Sequence, residues 1–188
     1  MPDTPRKPLP LRLRAPQTED CAAFLRAVSR SRRLHAGRVS PPDTRALFRT
    51  WLERIADGSY YGHLLLDTEG ELLGVVNLSE VIRGGYQSAY LGYYVFAGYE
   101  CQGVMSSGLR MVLPRAFGEY RLHRVEAAVQ PGNIASRRLV QHLGFRLEGL
   151  SMRSVKIGGR WRDHERWALT TEEWRASAAH RRKTDGRN

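Results

Sequence analysis

The sequence predicts one α+β domain on a mixed, mostly antiparallel β-sheet flanked by helices. Three observations predict it. Strand-like and helix-like apolar periods follow one another in the order β-α-α-β-β-β-α-β-α-β-β. Three of the strands are consecutive across short turns, which makes an antiparallel meander. The strand–helix–strand run from 89 to 129 then requires a right-handed crossover, and so one parallel strand pair.

Each element has a local reason. Residues 1–8 are Pro-rich and charged and are expected to fray. Leu9 to Arg14 alternates apolar and polar positions, which predicts a half-buried strand. Thr18 or Asp20 can cap a helix whose face is Ala22, Leu25 and Val28, with Phe24 beside it. Pro41-Pro42-Asp43 starts a second helix, with Leu47, Trp51, Ile55 and Phe48, Leu52, Ala56 at spacing four. Strands are expected at Tyr60–Leu66, Leu72–Leu78 and Ala89–Phe96, separated by the turns Asp67–Gly70 and Arg83–Gly85. Gly103–Phe117 has a helical apolar face, and Pro114 inside it predicts a kink or an early end. A strand at Arg124–Val129 and a helix over Asn133–Leu143 follow, the helix stopped by Gly144. Phe145–Ile157 and Arg160–Leu169 form a hairpin across Gly158-Gly159, and Thr171 opens a tail helix. The domain is placed at 9–175, with a basic tail over 176–188.

Composition narrows the class. With 41% hydrophobic residues among 188, the chain can bury a core. No apolar run approaches the ~18–20 residues of a membrane span. The start, MPDTPRKPLPLRLRAP, lacks the apolar centre of a secretory signal, so a cytoplasmic setting is expected. The two cysteines, Cys21 and Cys101, form no CxxC pair, which excludes a disulfide scaffold or a Cys-rich zinc site. No HExxH or comparable pattern is present, so no metal is expected. His164, between Asp163 and Glu165, has neighbours that face opposite ways on a strand, and a structural or surface role is expected.

Lys and Arg number 30 against 19 Asp and Glu, a formal net charge of +11. One cluster is Arg26, Arg30, Arg32, Arg33 and Arg38; another is the tail from Arg175 to Arg187. Such a balance attracts polyanions, so nucleic-acid contact enters as a secondary expectation. Aromatic residues do not interleave with the basic ones as they do on an RNA-recognition strand.

The stretch that carries chemistry runs from Tyr93 to Phe145. A strand ends in the loop Ala97–Gln102, and Gly103 opens a helix with Val104, Met105, Ser106 and Ser107 in its first turn. The first N–H groups of a helix have no intrahelical partner, and the dipole adds positive potential there. Gly103 lets an anion approach the backbone, so a pyrophosphate is the natural guest. The loop matches neither GxxxxGK[ST] nor GxGxxG. After the next strand, Asn133 is a good N-cap and Ser136 falls one turn later, at the mouth between two parallel strands. Either Tyr93 or Tyr94 should face that mouth.

The order of elements, the loop Glu100-Cys101-Gln102-Gly103-Val104-Met105, and Asn133-x-x-Ser136 followed by Gly144-Phe145-x-x-Glu148-Gly149 resemble the GNAT superfamily of acetyl-coenzyme A-dependent N-acetyltransferases. The nearer likeness is to ribosomal-protein N-terminal acetyltransferases of the Rim type, whose C-terminal hairpin is similar to Gly159–His164. The resemblance covers residues 9–175. It implies a splayed parallel pair, strands 89–96 and 124–129, with acetyl-CoA as cosubstrate between them. The pantetheine would follow Val95 and Phe96. The pyrophosphate would rest on Gln102, Gly103, Val104, Met105, Ser106 and Ser107, and Asn133 and Ser136 would complete the cofactor set. The resemblance further implies that the Val95 backbone N–H holds the oxyanion and that Ser136 protonates the departing thiolate. Cys101 need not be a nucleophile. Glu100 stands where the family has an amide or a cation, and Val155 stands where one Rim-type branch has a carboxylate. Tyr94, Glu80 and Glu148 are then the candidates for a base.

An amine acceptor without a strong dedicated base is best an α-amine. At pH 7 an α-amine is roughly 10–17% neutral, whereas a lysine near 10.4 is about 0.04% neutral. A protein or peptide N-terminus, with ribosomal proteins among the candidates, is therefore the expected acceptor. Small-molecule amines on the same fold, or a non-catalytic basic ribosome- or RNA-binding protein, are the alternatives.

Overall fold

A computed structural model describes residues 10–177. The segment 1–8, Leu9 and the basic tail beyond Ser177 lie outside the described residues. Strand β1 is only Arg12–Arg14, shorter than the alternation from Leu9 suggests. Pro10 cannot donate to a ladder, which favours a late start.

A short 3-10 turn at Thr18–Asp20 precedes helix α1 (Cys21–Arg30), and neither Thr18 nor Asp20 caps α1 with its side chain. Asp20 instead takes the Arg14 guanidinium at 2.6 and 2.7 Å and the Gln17 N–H at 2.7 Å. The buried face of α1 is Phe24, Ala27 and Val28, rotated from the expected Ala22–Leu25–Val28 stripe. The one aromatic ring of α1, Phe24, sets the rotation by packing on Phe48, Trp51 and Phe96. A helical turn unforeseen from sequence, α2 (Arg32–His35), follows. Helix α3 (Arg45–Ala56) begins two residues after Asp43, because Thr44 caps it by accepting the Leu47 N–H at 3.2 Å.

The meander is as expected: β2 (Tyr61–Leu66), β3 (Leu72–Ile82) and β4 (Ser88–Val95) pair antiparallel in turn. β3 runs past Leu78 and breaks register between Ser79 and Ile82, where Glu80 takes φ 49°. Helix α4 (Val104–Phe117) continues through Pro114 rather than ending there. Strand β5 (Arg124–Val129), helix α5 (Ile134–His142), and strands β6 (Arg146–Ile157) and β7 (Arg160–Thr170) complete the sheet, and residues 171–177 are helical. The strand order is β1-β2-β3-β4-β5-β7-β6, with β4–β5 its parallel pair.

Two apolar layers sandwich the sheet. Leu65, Val76, Leu91 and Val125 pack under α4 on one face. Leu64, Leu66, Val75, Tyr94 and Phe96 pack under α1 and α3 on the other. Neighbours Leu64 and Leu65 go to opposite layers, as the period of two in a strand demands.

One departure from regularity positions the site. β4 and β5 pair only over Ser88–Arg124, Ala89–Val125 and Tyr90–Glu126. β5 then stays with β7 through Val129–Glu165 while β4 stays with β3 through Val95–Gly74. The strands diverge, and a wedge opens through the sheet between Leu91–Val95 and Ala127–Val129.

Candidate active site

The wall of the wedge follows from register. The Phe96 N–H donates to the Leu73 carbonyl at 2.9 Å, and Gly74 lies opposite Val95. Hydrogen-bonded and non-bonded pairs alternate along an antiparallel ladder. Tyr94 and Phe96 therefore direct their backbone groups to β3, and Leu91, Tyr93 and Val95 direct theirs to the wedge. A chain-like guest can pair with that edge, and the Val95 N–H stands at its end. Phe96, expected on the edge, is turned away from it. Its N–H is held by Leu73, its carbonyl accepts the Tyr99 N–H at 3.2 Å, and its side chain is buried.

Past Val95 the chain turns into the helix-start loop. Gly103, at φ 79°, is the N-cap of α4, a conformation costly for other residues. The first intrahelical bond near it is Ser107 N–H to Gly103 C=O at 2.9 Å, which leaves the amides of Val104, Met105 and Ser106 without intrahelical acceptors. Open space lies over Gly103, since an added Cβ would meet nothing within 4 Å. Glu100 folds back onto the Gly98 N–H at 2.6 Å, and Gln102 donates to the Gly98 carbonyl at 2.6 Å. Both side chains brace the loop rather than reach outward. The side chains of Val104 and Met105 are buried, so these two residues offer the backbone; Ser106 and Ser107 are half-buried.

On the far wall Asn133 caps α5, its Oδ1 accepting the Ser136 N–H at 3.3 Å. The Ser136 hydroxyl lies 2.6 Å from the hydroxyl of Tyr93 across the wedge. Burial pushes the Tyr93 phenol up to about 12, with the Ser136 bond pulling the other way, so it is protonated at neutral pH. Tyr94 points to the opposite face of the sheet, against Phe96 and His35. Its hydroxyl is buried without a hydrogen-bond partner, and burial holds its pKa well above the phenol range. Such a group does not accept a proton near neutral pH.

The cleft has a volume of about 710 Å³. Both tyrosines border it because it passes through the sheet, and Met105, Asn133, Ser136 and Val155 line it as well. Two contacts from the basic segment close over it: His35 Nε2 donates to the Val95 carbonyl at 2.8 Å, and Gln130 Nε2 donates to the Gly37 carbonyl at 2.8 Å. The cleft's charged lining is Arg38, Lys156 and Arg166 against Glu80 alone. Glu80 is ion-paired with Arg54 at 2.8 Å. Glu148 does not border the cleft; Arg124 holds it at 3.0 Å and keeps its carboxyl below the usual range.

The triplet around His164 is split between tasks. Asp163 accepts the Arg153 N–H at 2.7 Å, Glu165 binds Arg137 at 2.9 Å, and buried His164 bonds the Arg162 carbonyl at 3.1 Å. Among the described residues no group of three or more His, Cys, Asp or Glu side chains could hold a metal, and no helix is long and apolar enough to cross a membrane. Sequence reasoning missed the Tyr93–Ser136 contact and the part played by His35. Alternation told that Tyr93 and Tyr94 part ways, but not toward what. His35 lies within an arginine run that read only as charge.

A splayed parallel pair, an outward-facing strand edge and an open helix start together define an acyl-coenzyme A-dependent transferase fold. Residues 10–146 match the acetyltransferase (GNAT) domain, and the chain belongs to that family. It is 37% identical over 113 residues to the probable N-acetyltransferase YjcK of Bacillus subtilis, covering 60% of this chain and 62% of that protein. It is 35% identical over 116 residues to the ribosomal protein uS5-alanine N-acetyltransferase of Escherichia coli, covering 62% of this chain and 60% of that one. These matches span about three-fifths of the relatives' length. The solved structure of Mycobacterium smegmatis RimJ in complex with CoA-disulfide superposes with a TM-score of 0.80 at 31% identity, covering 94% of this chain and 90% of that one.

Proposed function

We propose that this chain moves the acetyl group of acetyl-CoA to the α-amine of a peptide or protein N-terminus, with ribosomal proteins as the acceptor class. The observation that carries the reading is the register: it aims the Val95 N–H into the wedge, beside the wall where Tyr93 and Ser136 meet. The pantetheine pairs with the outward edge at Leu91–Val95, and the pyrophosphate takes the free amides of Val104, Met105 and Ser106. Asn133 contributes as the cap that orients Ser136. The family and the RimJ likeness support the cosubstrate, and the Escherichia coli relative's name supports the acceptor.

The amine nitrogen attacks the acetyl carbonyl carbon, and the Val95 N–H stabilises the oxygen that gains charge. As the C–N bond forms and the C–S bond breaks, the thiolate takes a proton from the Ser136 hydroxyl, which Tyr93 replenishes before the phenol regains a proton from water. The amine releases its proton to water, with Glu80 the carboxylate bordering the cleft. A cleft lined by three cations and one paired acid disfavours polycationic small amines. Acceptors on the ribosome imply a cytoplasmic setting.

The test is thiol release from acetyl-CoA with N-terminal peptides, and with N-blocked lysine peptides as the comparison, the products being located by mass spectrometry. Acetylation of the free N-terminus is expected. Modification of lysine alone, or salt-sensitive RNA binding with no thiol release, overturns the reading.

A further inference from the structure

We infer that His35 is a positioning residue for acyl transfer: its hydrogen bond to the Val95 carbonyl keeps that dipole from opposing the oxyanion formed beside the Val95 N–H. The inference rests on the oxyanion role given to Val95 above.

The register directs both the N–H and the C=O of Val95 into the wedge. The two groups have opposite effects there. The N–H favours negative charge on the acetyl oxygen, and the adjacent carbonyl oxygen disfavours it. At such short range water screens neither effect fully. Free to face the guest, the carbonyl would also compete for the incoming amine's hydrogens and draw the peptide out of line.

His35 occupies that carbonyl. Its Nε2 lies 2.8 Å from the Val95 oxygen. A carbonyl only accepts, so Nε2 carries the hydrogen. The ring is 5% exposed and packs edge-on against Tyr94 at 5.1 Å. Its other nitrogen, Nδ1, is buried with no hydrogen-bond partner. A buried ring with one nitrogen unpaired is an expensive way to fill space, where leucine would pack without that loss. The Nε2 bond is what the imidazole adds. The backbone around it is fixed: the His35 N–H donates to the Ser31 carbonyl at 2.9 Å, and the Ser31 hydroxyl accepts the Ala97 N–H at 2.9 Å. The corner between α1 and α2 thus grips the end of β4 on both sides of Phe96, and only the His35 contact touches the residue that bears the oxyanion donor.

The experiment uses the full chain and whichever amine supports turnover, so it does not depend on the acceptor's identity. In His35→Leu, kcat is expected to fall by about tenfold, less than the roughly 10²–10³-fold lost when an oxyanion donor itself is removed, while the KM for acetyl-CoA stays within about twofold. His35→Gln places an amide N–H where Nε2 was and is expected to recover kcat to within about threefold of the parent. Ser31→Ala, which loosens the same corner without touching Val95, is expected to lower Tm with a smaller effect on kcat. A direct readout does not require turnover. The Val95 amide proton should move downfield when S-acetonyl coenzyme A, a ketone analogue, replaces coenzyme A, and move less in His35→Leu. If the parent protein shows no such shift, Val95 is not the donor and the inference falls with it. If the shift is present but His35→Leu turns over at the parent rate, the inference alone fails. It also fails if His35→Gln is as slow as His35→Leu, since the ring would then be carrying a proton, or if Ser31→Ala slows kcat equally.

Discussion

The hydroxyls of Tyr93 and Ser136 lie 2.6 Å apart although the residues are 43 positions apart in the chain. The contact spans the two walls of the wedge, joining the edge of β4 to the first turn of α5. With the phenol protonated at neutral pH, Tyr93 can donate to Ser136 while Ser136 donates to the sulfur. The two act as one proton path, so their losses should not add. Ser136→Ala and Tyr93→Phe are each expected to lower kcat by about 100-fold or more, and the double variant by little more than either. Calorimetry with coenzyme A should find affinity within about threefold of the parent, because general-acid loss touches the transition state rather than ground-state binding. Multiplicative losses in the double variant would mean two independent roles.

Gly74 faces Val95, and the strands approach so closely there that a Cβ on Gly74 would lie 2.8 Å from the Tyr94 backbone oxygen and 3.3 Å from the Val95 Cα. The obstacle is backbone and cannot rotate away. Gly74→Ala should therefore push the end of β4 and misalign the Val95 N–H. The expected cost is about 1–3 kcal/mol of stability, a fall in Tm of several degrees for a chain of this size, together with a drop in kcat. Gly132→Ala meets nothing within 4 Å and serves as the comparison. A Gly74→Ala protein with parental kcat would separate the strand contact from the chemistry.

Much of this was legible in the sequence, and the parts that were not share a cause. The meander, the crossover and the helix start at Gly103 are local: turns, periods and a cap lie within a few residues of what they decide. Asn133 and Ser136 sit on one turn, so their shared mouth could be read from spacing. The splay of the parallel pair was expected from the family resemblance alone; that its pairing ends after Tyr90–Glu126 could not be read from spacing, because it depends on β7 holding β5 while β3 holds β4. The direction of the Val95 N–H is likewise a matter of register between strands. The α1 face was misjudged because a period of three or four does not say which ring finds Phe48 and Trp51. His35 was invisible because its partner is a main-chain carbonyl 60 residues away, and no side-chain pattern announces a carbonyl.

Another buried histidine, His63, is expected to make stability depend on pH. His63 is 2% exposed; its Nδ1 lies 3.3 Å from the Val76 carbonyl and its Nε2 2.8 Å from the Tyr120 hydroxyl. The carbonyl must accept, so Nδ1 carries the hydrogen and Nε2 receives the phenol's. Burial lowers its pKa to about 4, against the 6.5 of an ordinary imidazole. The unfolded chain therefore binds a proton that the folded chain refuses, and stability falls as pH drops from about 6.5 to about 4. The loss over that window is about 3 kcal/mol. Denaturant unfolding at pH 7, 5.5 and 4.5 should trace it, and His63→Gln should flatten this component of the slope. An unchanged slope would assign the acid sensitivity to other groups.

The pH dependence of turnover discriminates between acceptors. Of the acids weighed as bases, Glu148 is held by Arg124 off the cleft, and Glu80 borders the cleft while paired with Arg54. Among the described residues neither carboxylate is free to serve as a dedicated base, so kcat/KM should follow the neutral fraction of the amine itself. For an N-terminal peptide that predicts a tenfold rise per pH unit from about pH 6, levelling near 7.7–8.0, whereas a lysine acceptor would keep climbing toward about 10.4. Replacing the terminal residue by one with a lower amine pKa should move the plateau down by the same amount, which a protein-borne base would not do. Glu80→Gln should leave the plateau where it is. If instead that variant removes the rising limb, Glu80 is the base, and the preference for an α-amine loses its physical ground.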